Sequence, residues 1–216
     1  SILAVLVLYF HKLNPFSTQK NQKQKRDTLS LWGKVLIATV PAGIIGLLFE
    51  EKINALFYNP TTVAITLIVY GVGFIVVESQ KRKGRIRSFA QMSARTAALI
   101  GVFQVLALIP GTSRSGATIL GAVMLGCTRT VAAEFSFFLA IPVMLGASGL
   151  KLIKYADLLV GPQLLTLLVG TVVAFVVSLF AIKFLMNYIR KHDFTAFGWY
   201  RIVLGAIVLL YFGIFA

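Results

Sequence analysis

The sequence predicts an all-α, polytopic membrane protein with six transmembrane helices, the first of them truncated, and one re-entrant helix pair in an inverted-repeat topology. Of the 216 residues, 58% are hydrophobic and 13% are charged, whereas soluble domains carry about 25% charged residues. The apolar runs are long and continuous, which favours helices over outer-membrane barrel strands with their period of two. The net charge of +14 does not indicate nucleic-acid binding, because the basic residues cluster in short loops between apolar runs.

The first apolar run, Ile2–Phe10, is too short to cross a bilayer. A helix of this length is about 14 Å long, against a hydrocarbon core of about 30 Å. It lacks the charged leading segment of a signal peptide, and the chain does not begin with Met. We therefore expect the chain to begin inside a transmembrane helix, with part of the natural protein upstream.

Five further apolar runs have the length of spans. They are Leu31–Phe49, Thr61–Val77, Val131–Leu150, Pro162–Met186 and Trp199–Phe215. Prolines inside two of them, Pro41 and Pro142, are expected to kink the helix and free a carbonyl. Together, residues 1–216 are expected to form a single integral membrane domain.

Polar segments connect these spans. Residues 11–34 are predicted to be a polar loop, in which Gln19–Arg26 lacks apolar residues and is typical of exposed chain. Lys81–Arg87 is predicted to be a second basic loop, and Lys151–Asp157 the turn on the opposite side. Cys127 is the only cysteine, so an internal disulfide is excluded and interior packing is expected.

The segments Ser93–Ile109 and Ser115–Gly126 are predicted to form the re-entrant pair. The second segment is too short to cross the bilayer and then turn at Cys127. We expect the first helix to break at Pro110-Gly111 near mid-depth and the second to leave on the entry side, with the break lining a cavity. Three spans before and three after then run in opposite senses, as in an inverted repeat. A second pair would precede Ile2 and face Arg114.

The basic residues indicate the orientation. If residues 11–34 are cytoplasmic, every Lys and Arg lies on that side except Arg114, Lys52, Lys151 and Lys154. This agrees with the positive-inside rule only if the pair is re-entrant.

The segment from Ile109 to Thr118, Ile-Pro-Gly-Thr-Ser-Arg-Ser-Gly-Ala-Thr, places one arginine among hydroxyls and glycines. An arginine inside a membrane segment needs an anionic partner. A helix N-terminus capped by Thr112 or Ser113, a guanidinium and several hydroxyls together form a phosphate-binding site. The alternative is an ion pair of Arg114 with a carboxylate from another helix, mostly one in the part expected upstream. This chain offers little for such a pair, because its acidic residues lie in loops or at span ends: Asp27, Glu50, Glu51, Glu78, Glu134, Asp157 and Asp193.

The segment Gln104–Thr118 closely resembles the Pro-Gly-x-Ser-Arg-Ser-Gly-x-Thr signature of the undecaprenyl-diphosphate phosphatase (bacitracin-resistance protein) family. Phe135-Ser136-Phe137, Ile141-Pro142 and the opening Ser1–Val5 also look like that family. The resemblance implies hydrolysis of undecaprenyl diphosphate to the undecaprenyl phosphate carrier lipid of peptidoglycan synthesis. It also implies a multi-pass protein of the bacterial inner membrane, an active site that faces outward, and a homodimer as one form of assembly.

The same resemblance implies the roles of individual residues. The expected catalytic residues are Arg114, Ser113 and Ser115. The expected substrate-binding residues are Gly111, Thr112, Gly116, Thr118 and Gln104.

The sequence departs from the family in one respect. The family's first motif, Glu-x-x-x-Glu followed by Ser-Ser-Thr-Gly-His, is absent, and neither His11 nor His192 replaces it, because both lie in basic, cytoplasmic-side segments. The resemblance therefore implies a divalent metal, Mg²⁺ or Ca²⁺, in the intact protein, with no metal ligand in this chain. We expect the 216-residue chain alone to be inactive.

A lipid-phosphate or anion transporter is the alternative function, because transporters also combine inverted repeats with helices broken at mid-depth. Carboxylates, a hydroxyl and a histidine opposite Arg114 would favour hydrolysis, and their absence from the full gene product would favour transport. A purely structural membrane protein would leave Arg114 without a role.

Overall fold

The computed structural model describes residues 1–80, 84–155 and 161–215, and within these ranges the chain forms nine α-helices. The helices are α1 (Ile2–Leu8), α2 (Phe10–Leu13), α3 (Gln22–Phe57), α4 (Pro60–Ser79), α5 (Ala94–Val105), α6 (Arg114–Met124), α7 (Arg129–Lys154), α8 (Pro162–Lys191) and α9 (Thr195–Phe215). Five of them, α3, α4, α7, α8 and α9, are long and apolar enough to cross a membrane. These features confirm an all-α, multi-pass membrane protein. Lys81–Lys83 of the predicted basic loop and Ala156-Asp157 of the predicted turn lie outside the described residues. The predicted turn is wrong for Lys151–Lys154, because α7 continues to Lys154.

Helix α3 extends beyond the predicted span at both ends. It begins at Gln22, so the predicted polar loop of residues 11–34 is wrong from residue 22 onward. The helix continues through Glu50-Glu51-Lys52 to Phe57. A capping box starts the helix, since the Gln24 N–H donates to Asn21 Oδ1 (2.9 Å) and the Asn21 N–H donates to Gln24 Oε1 (3.1 Å). Lys, Gln and Arg are good helix formers, so a run without apolar residues can extend a helix into water.

The predicted break at Pro110-Gly111 is confirmed. Helix α5 has 12 residues and α6 has 11, so each is less than 20 Å long by the rise of about 1.5 Å per residue and neither can cross a bilayer. A 3-10 turn, Leu106–Leu108, follows α5 before the break.

The chain leaves this pair on the side from which it enters. The N–H groups of Arg85 and Ile86 both donate to the Gly126 carbonyl (2.8 and 2.9 Å), and the Thr128 N–H donates to the Ile86 carbonyl (3.0 Å). The segment before α5 is therefore bonded to the segment after α6. This geometry is that of a re-entrant pair.

Small residues set the packing of α4 against α9. A Cβ atom on Gly71 would lie 2.7 Å from the Gly198 carbonyl oxygen, and one on Gly198 would lie 2.8 Å from the Gly71 carbonyl oxygen. The next turn of each helix repeats the pattern, because Gly71 also faces Ile202 and Gly198 faces Ile75. The two glycines therefore let the α4 and α9 backbones approach closely, and the inverted repeat stays a prediction.

The core lies around the first half of α7, where Phe135, Phe138 and Leu139 are fully buried in one cluster that also contains Ile100 of α5. Cys127, in the loop before α7, is buried as predicted, with 2% of its surface exposed. Burial raises the pKa of the Cys127 thiol to about 11. A thiol in this environment stays protonated at neutral pH and is unreactive.

Replacing Gly198 by Ala is expected to destabilise the protein, because the added methyl group overlaps the α4 backbone. Overpacking of this kind costs about 1–3 kcal/mol, and thermal unfolding in detergent measures it. The matched control is Gly170→Ala in α8, where a Cβ would meet nothing within 4 Å. Equal midpoints for the two variants would contradict the close α4–α9 contact.

Candidate active site

The loop between the two short helices has an unusual backbone. Gly111 has φ 85° and Ser113 has φ 50°, and Ser113 is the only non-glycine residue with a positive φ in the described ranges. A non-glycine residue in this region costs about 1–3 kcal/mol and persists only where its surroundings hold it. Contacts from elsewhere in the fold must therefore maintain the loop.

Two long-range hydrogen bonds hold the loop. The Thr66 hydroxyl of α4 donates to the Pro110 carbonyl (2.8 Å), and Arg201 Nη2 of α9 donates to the Gly111 carbonyl (2.9 Å). The Arg201 guanidinium lies 5.7 Å from the centre of the Tyr70 ring. The packed pair α4–α9 thus fixes the chain immediately before α6.

The start of α6 presents free donors. Ser113 caps the helix: its hydroxyl accepts from the Gly116 N–H (3.3 Å) and its carbonyl accepts from the Ala117 N–H (3.0 Å). The N–H groups of Arg114 and Ser115 make no hydrogen bond within the part of the chain that the structure describes. The positive end of the helix dipole adds to these two donors, and together they form an anion-binding geometry.

Arg114 itself has no acidic partner among the described residues. The two ion pairs there are Lys12–Glu134 and Arg129–Glu78, so no carboxylate of the described residues pairs with Arg114. The alternative of a carboxylate from the part expected upstream stays a prediction. The guanidinium is partly buried, and its closest polar contact is Nη1 at 3.5 Å from the Ser136 carbonyl oxygen. Its positive charge is therefore uncompensated.

Arg114 lines a cavity of about 520 Å³ between α3 and α7, and Ala107 and Leu108 of the 3-10 turn also line it. Small side chains of α3 and α7 form its walls, among them Ala42, Gly43, Gly46, Gly146 and Ala147. Its other polar side chains are those of Thr39, Glu50, Gln104 and Lys151. We refer to it as the arginine cavity.

Two predicted substrate-binding residues carry buried polar atoms without a partner. Gln104 is 2% exposed and Thr112 is 1% exposed, and neither the Gln104 amide nor the Thr112 hydroxyl makes a hydrogen bond within the described ranges. An unpaired buried polar group costs about 1–3 kcal/mol, so it calls for a functional explanation. Gln104 also lines the arginine cavity, whereas Thr112 does not belong to its lining.

The remaining predicted residues lie around these groups. The Ser113 and Ser115 hydroxyls lie 3.3 Å apart at the helix start. The buried Thr118 hydroxyl lies 3.0 Å from the Arg114 carbonyl and 2.7 Å from the Ser136 hydroxyl. It therefore joins the first turn of α6 to α7. A Cβ on Gly116 would lie 3.3 Å from Arg201 Nη1, which shows that Gly116 leaves room for that guanidinium.

Sequence reasoning missed two residues of the site, Ser136 and Arg201. The sequence suggests that Arg201 lies at the membrane interface beside Trp199 and Tyr200. That prediction is wrong, because α9 begins at Thr195 and Arg201 is 8% exposed, although the two aromatic residues are exposed as expected. For Arg201 the signal available in the sequence was its charge inside an apolar span, which indicates a functional or structural role. For Ser136 the available signal was the segment Phe135-Ser136-Phe137, which resembles the family.

The donors at this site do not fit a divalent cation. Within the described ranges no group of three or more His, Cys, Asp or Glu side chains could hold a metal. The arginine cavity has one carboxylate, Glu50, together with Arg114 and Lys151, whereas Mg²⁺ and Ca²⁺ need several oxygen ligands. The site is suited to an anion.

Replacing Arg201 by Gln is expected to loosen the loop, because the buried Gly111 carbonyl loses its charged donor. Amide hydrogen exchange of residues 109–116 should become about tenfold faster or more, since a hydrogen bond to a charged group contributes about 1.5–3 kcal/mol. Arg95→Gln, at the exposed start of α5, is the control. Unchanged exchange in Arg201→Gln would show that the loop does not depend on this contact.

Comparison with known proteins identifies the family. The model of the family described as bacitracin resistance protein BacA matches residues 1–207. An undecaprenyl-diphosphatase 1 of Clostridioides difficile (strain 630) is 60% identical over 212 residues, which cover 98% of this chain and 77% of the relative. Undecaprenyl-diphosphatases of Acetivibrio thermocellus and Enterococcus faecalis (strain ATCC 700802 / V583) are 60% and 54% identical, each over 98% of this chain and over 79% and 78% of the relative. The chain belongs to the bacitracin resistance protein BacA family.

Proposed function

We propose that this chain carries the diphosphate-binding part of an undecaprenyl-diphosphatase. The reaction is the hydrolysis of undecaprenyl diphosphate to undecaprenyl phosphate and inorganic phosphate, which recycles the carrier lipid of peptidoglycan synthesis and underlies bacitracin resistance. The observation that carries the proposal is the uncompensated Arg114 guanidinium at the free N-terminus of α6. The names of the relatives favour hydrolysis over transport.

In this reaction one water molecule is consumed and the bond between the terminal phosphorus and the bridging oxygen breaks. The bridging oxygen stays on the lipid monophosphate, and negative charge increases on it as the bond breaks. The Arg114 guanidinium and the N–H groups of Arg114 and Ser115 contact the phosphate oxygens from one side and compensate their negative charge. Hydrogen-bond donors that are already positioned where negative charge develops in the transition state are a large source of rate acceleration.

We assign Ser113 and Ser115 to binding of the phosphate oxygens. Within the described ranges neither hydroxyl is hydrogen-bonded to a His, Asp or Glu side chain that could remove its proton. A serine without such a base is a weak nucleophile at neutral pH, but it is a good donor to a phosphate oxygen. Gln104, which also lines the cavity, adds an amide donor.

The walls of the arginine cavity suit the prenyl chain. Ala42, Gly43 and Gly46 of α3 face Gly146 and Ala147 of α7, and these small residues leave an apolar channel beside Arg114. The cavity ends at Glu50 and Lys151, which lie away from the basic loops. We therefore place its mouth on the outer face of the bacterial inner membrane, in agreement with the positive-inside rule.

A divalent metal, Mg²⁺ or Ca²⁺, is proposed for the intact protein on the basis of the family resemblance. When bound, such an ion would neutralise phosphate charge. The described residues do not supply its ligands, and no step above depends on it. The predicted homodimer has no part in this chemistry and stays a prediction.

Replacing Arg114 by Ala should lower phosphate release by about 100-fold or more, the usual effect of removing a donor to a developing charge. Arg114→Lys keeps the positive charge but loses the bidentate contact with phosphate, so it should retain part of the activity. The assay uses a C15 or C55 prenyl diphosphate and the chain joined to the upstream segment that the family resemblance implies. Arg95→Ala is the control and should be fully active.

Two results would contradict this account. No phosphate release by the extended protein, or full activity in its Arg114→Ala variant, would refute the phosphatase assignment.

A further inference from the structure

The hydroxyl of Thr118 lies inside the protein, where α6 packs against α7. Thr118 is 1% exposed, and its Oγ1 lies 3.0 Å from the Arg114 carbonyl oxygen, 3.2 Å from the Ser115 carbonyl oxygen and 2.7 Å from the Ser136 hydroxyl. Thr118 does not belong to the lining of the arginine cavity. In this arrangement its hydroxyl is engaged within the protein.

The direction of the hydrogen bonds in this cluster follows from the chemistry of its groups. A carbonyl oxygen can only accept, and a hydroxyl has one proton to donate. Thr118 donates to the Arg114 carbonyl, which is the shorter of its two carbonyl contacts, so in the contact between the two hydroxyls Ser136 is the donor. The hydrogen bonds then run from Ser136 to Thr118 and from Thr118 to the Arg114 carbonyl.

Ser136 also contacts the other end of Arg114. Its carbonyl oxygen lies 3.5 Å from Arg114 Nη1, and Ser136 itself is 1% exposed in the first half of α7. One buried residue of α7 thus contacts the main chain of Arg114 through Thr118 and the guanidinium directly. A contact of 3.5 Å is weak, so the guanidinium keeps its donors for a ligand.

The hydroxyl pair lies between helices whose other buried side chains are apolar. Leu120 and Ala122 of α6 belong to the same apolar cluster as Ala133 and Phe135 of α7. Apolar contacts have no preferred direction, so they allow small shifts of one helix along the other. A hydrogen bond of 2.7 Å between two buried hydroxyls fixes the position of α6 on α7, because breaking it would leave buried polar groups unpaired.

Arg114 is therefore held from two sides. Thr66 and Arg201 bind the two carbonyls of the loop before α6, and the hydroxyl pair binds the carbonyl of Arg114 itself. We propose that Thr118 and Ser136 are positioning residues, which set the direction in which the Arg114 guanidinium meets the phosphate. This inference rests on the proposed function, and it assigns neither hydroxyl to contact with the substrate.

Thr118→Val and Ser136→Ala each remove one hydroxyl of the pair. In the extended protein of the assay above, each change should lower phosphate release about tenfold or more, since a shift of about 1 Å in a group at the reacting centre can cost about 100-fold. Thr118→Ser keeps the hydroxyl and should retain most of the activity. With Arg114→Ala already present, neither change should lower activity further, because the pair acts through that residue.

A second readout does not depend on hydrolysis. In NMR spectra of protein with isotope-labelled arginine, the side-chain N–H signal of Arg114 is identified by its loss in Arg114→Ala. This signal should shift and exchange faster with water in Thr118→Val and in Ser136→Ala. The matched control is Thr171→Val in α8, where the hydroxyl donates to the Leu167 carbonyl (2.7 Å), and this variant should change neither the signal nor the activity.

The outcomes separate this inference from the proposed function. An Arg114 signal that is unchanged in both variants, an activity loss in Thr118→Ser as large as in Thr118→Val, or losses that add to that of Arg114→Ala would overturn the positioning role. If one of the two variants does not fold, the other decides. An extended protein that releases no phosphate, while the Arg114 signal still shifts as expected, would count against the phosphatase assignment and support the positioning role.

Discussion

The hydrogen bonds from Thr66 and Arg201 to two consecutive carbonyls are the contacts on which the site depends. Without them nothing in the local sequence would keep Ser113 at φ 50°, because this conformation is unfavourable for a residue with a Cβ. The two donors come from α4 and α9, which approach closely because Gly71 faces Gly198 and Gly205 lies against the Ala64 backbone. Helix packing in one part of the bundle thus determines the direction of α6 in another.

Two arginines near one loop have different tasks because their surroundings differ. Arg201 is bonded to a backbone carbonyl and lies over an aromatic ring, so part of its hydrogen-bonding capacity is used within the protein. Arg114 has one long contact to a carbonyl and no acidic partner among the described residues. A partly buried charge in this state is costly unless a ligand compensates it. The first arginine therefore holds the loop, and the second is available to an anionic headgroup.

The sequence was sufficient to predict the features that are local along the chain. Pro110-Gly111 marked the break, the length of the neighbouring apolar segments indicated a re-entrant pair, and Arg114 stood out as a charge within them. It could not predict contacts made across the fold, because the donors Thr66 and Arg201 are remote in sequence from the loop. The helical start of α3 was missed for another reason: polarity was taken as a sign of loop, although the Asn21–Gln24 capping box predicts a helix.

The most direct measurement is a double-mutant cycle on the binding of a hydrolysis-resistant farnesyl bisphosphonate, with Arg114→Ala, Arg201→Gln and both changes together. If Arg201 acts by holding the loop that presents Arg114, each single change weakens binding and the double variant binds about as weakly as Arg114→Ala alone. Additive losses would mean that Arg201 contributes independently of Arg114. Unchanged binding in Arg114→Ala would mean that the diphosphate is bound elsewhere, and the account would fail.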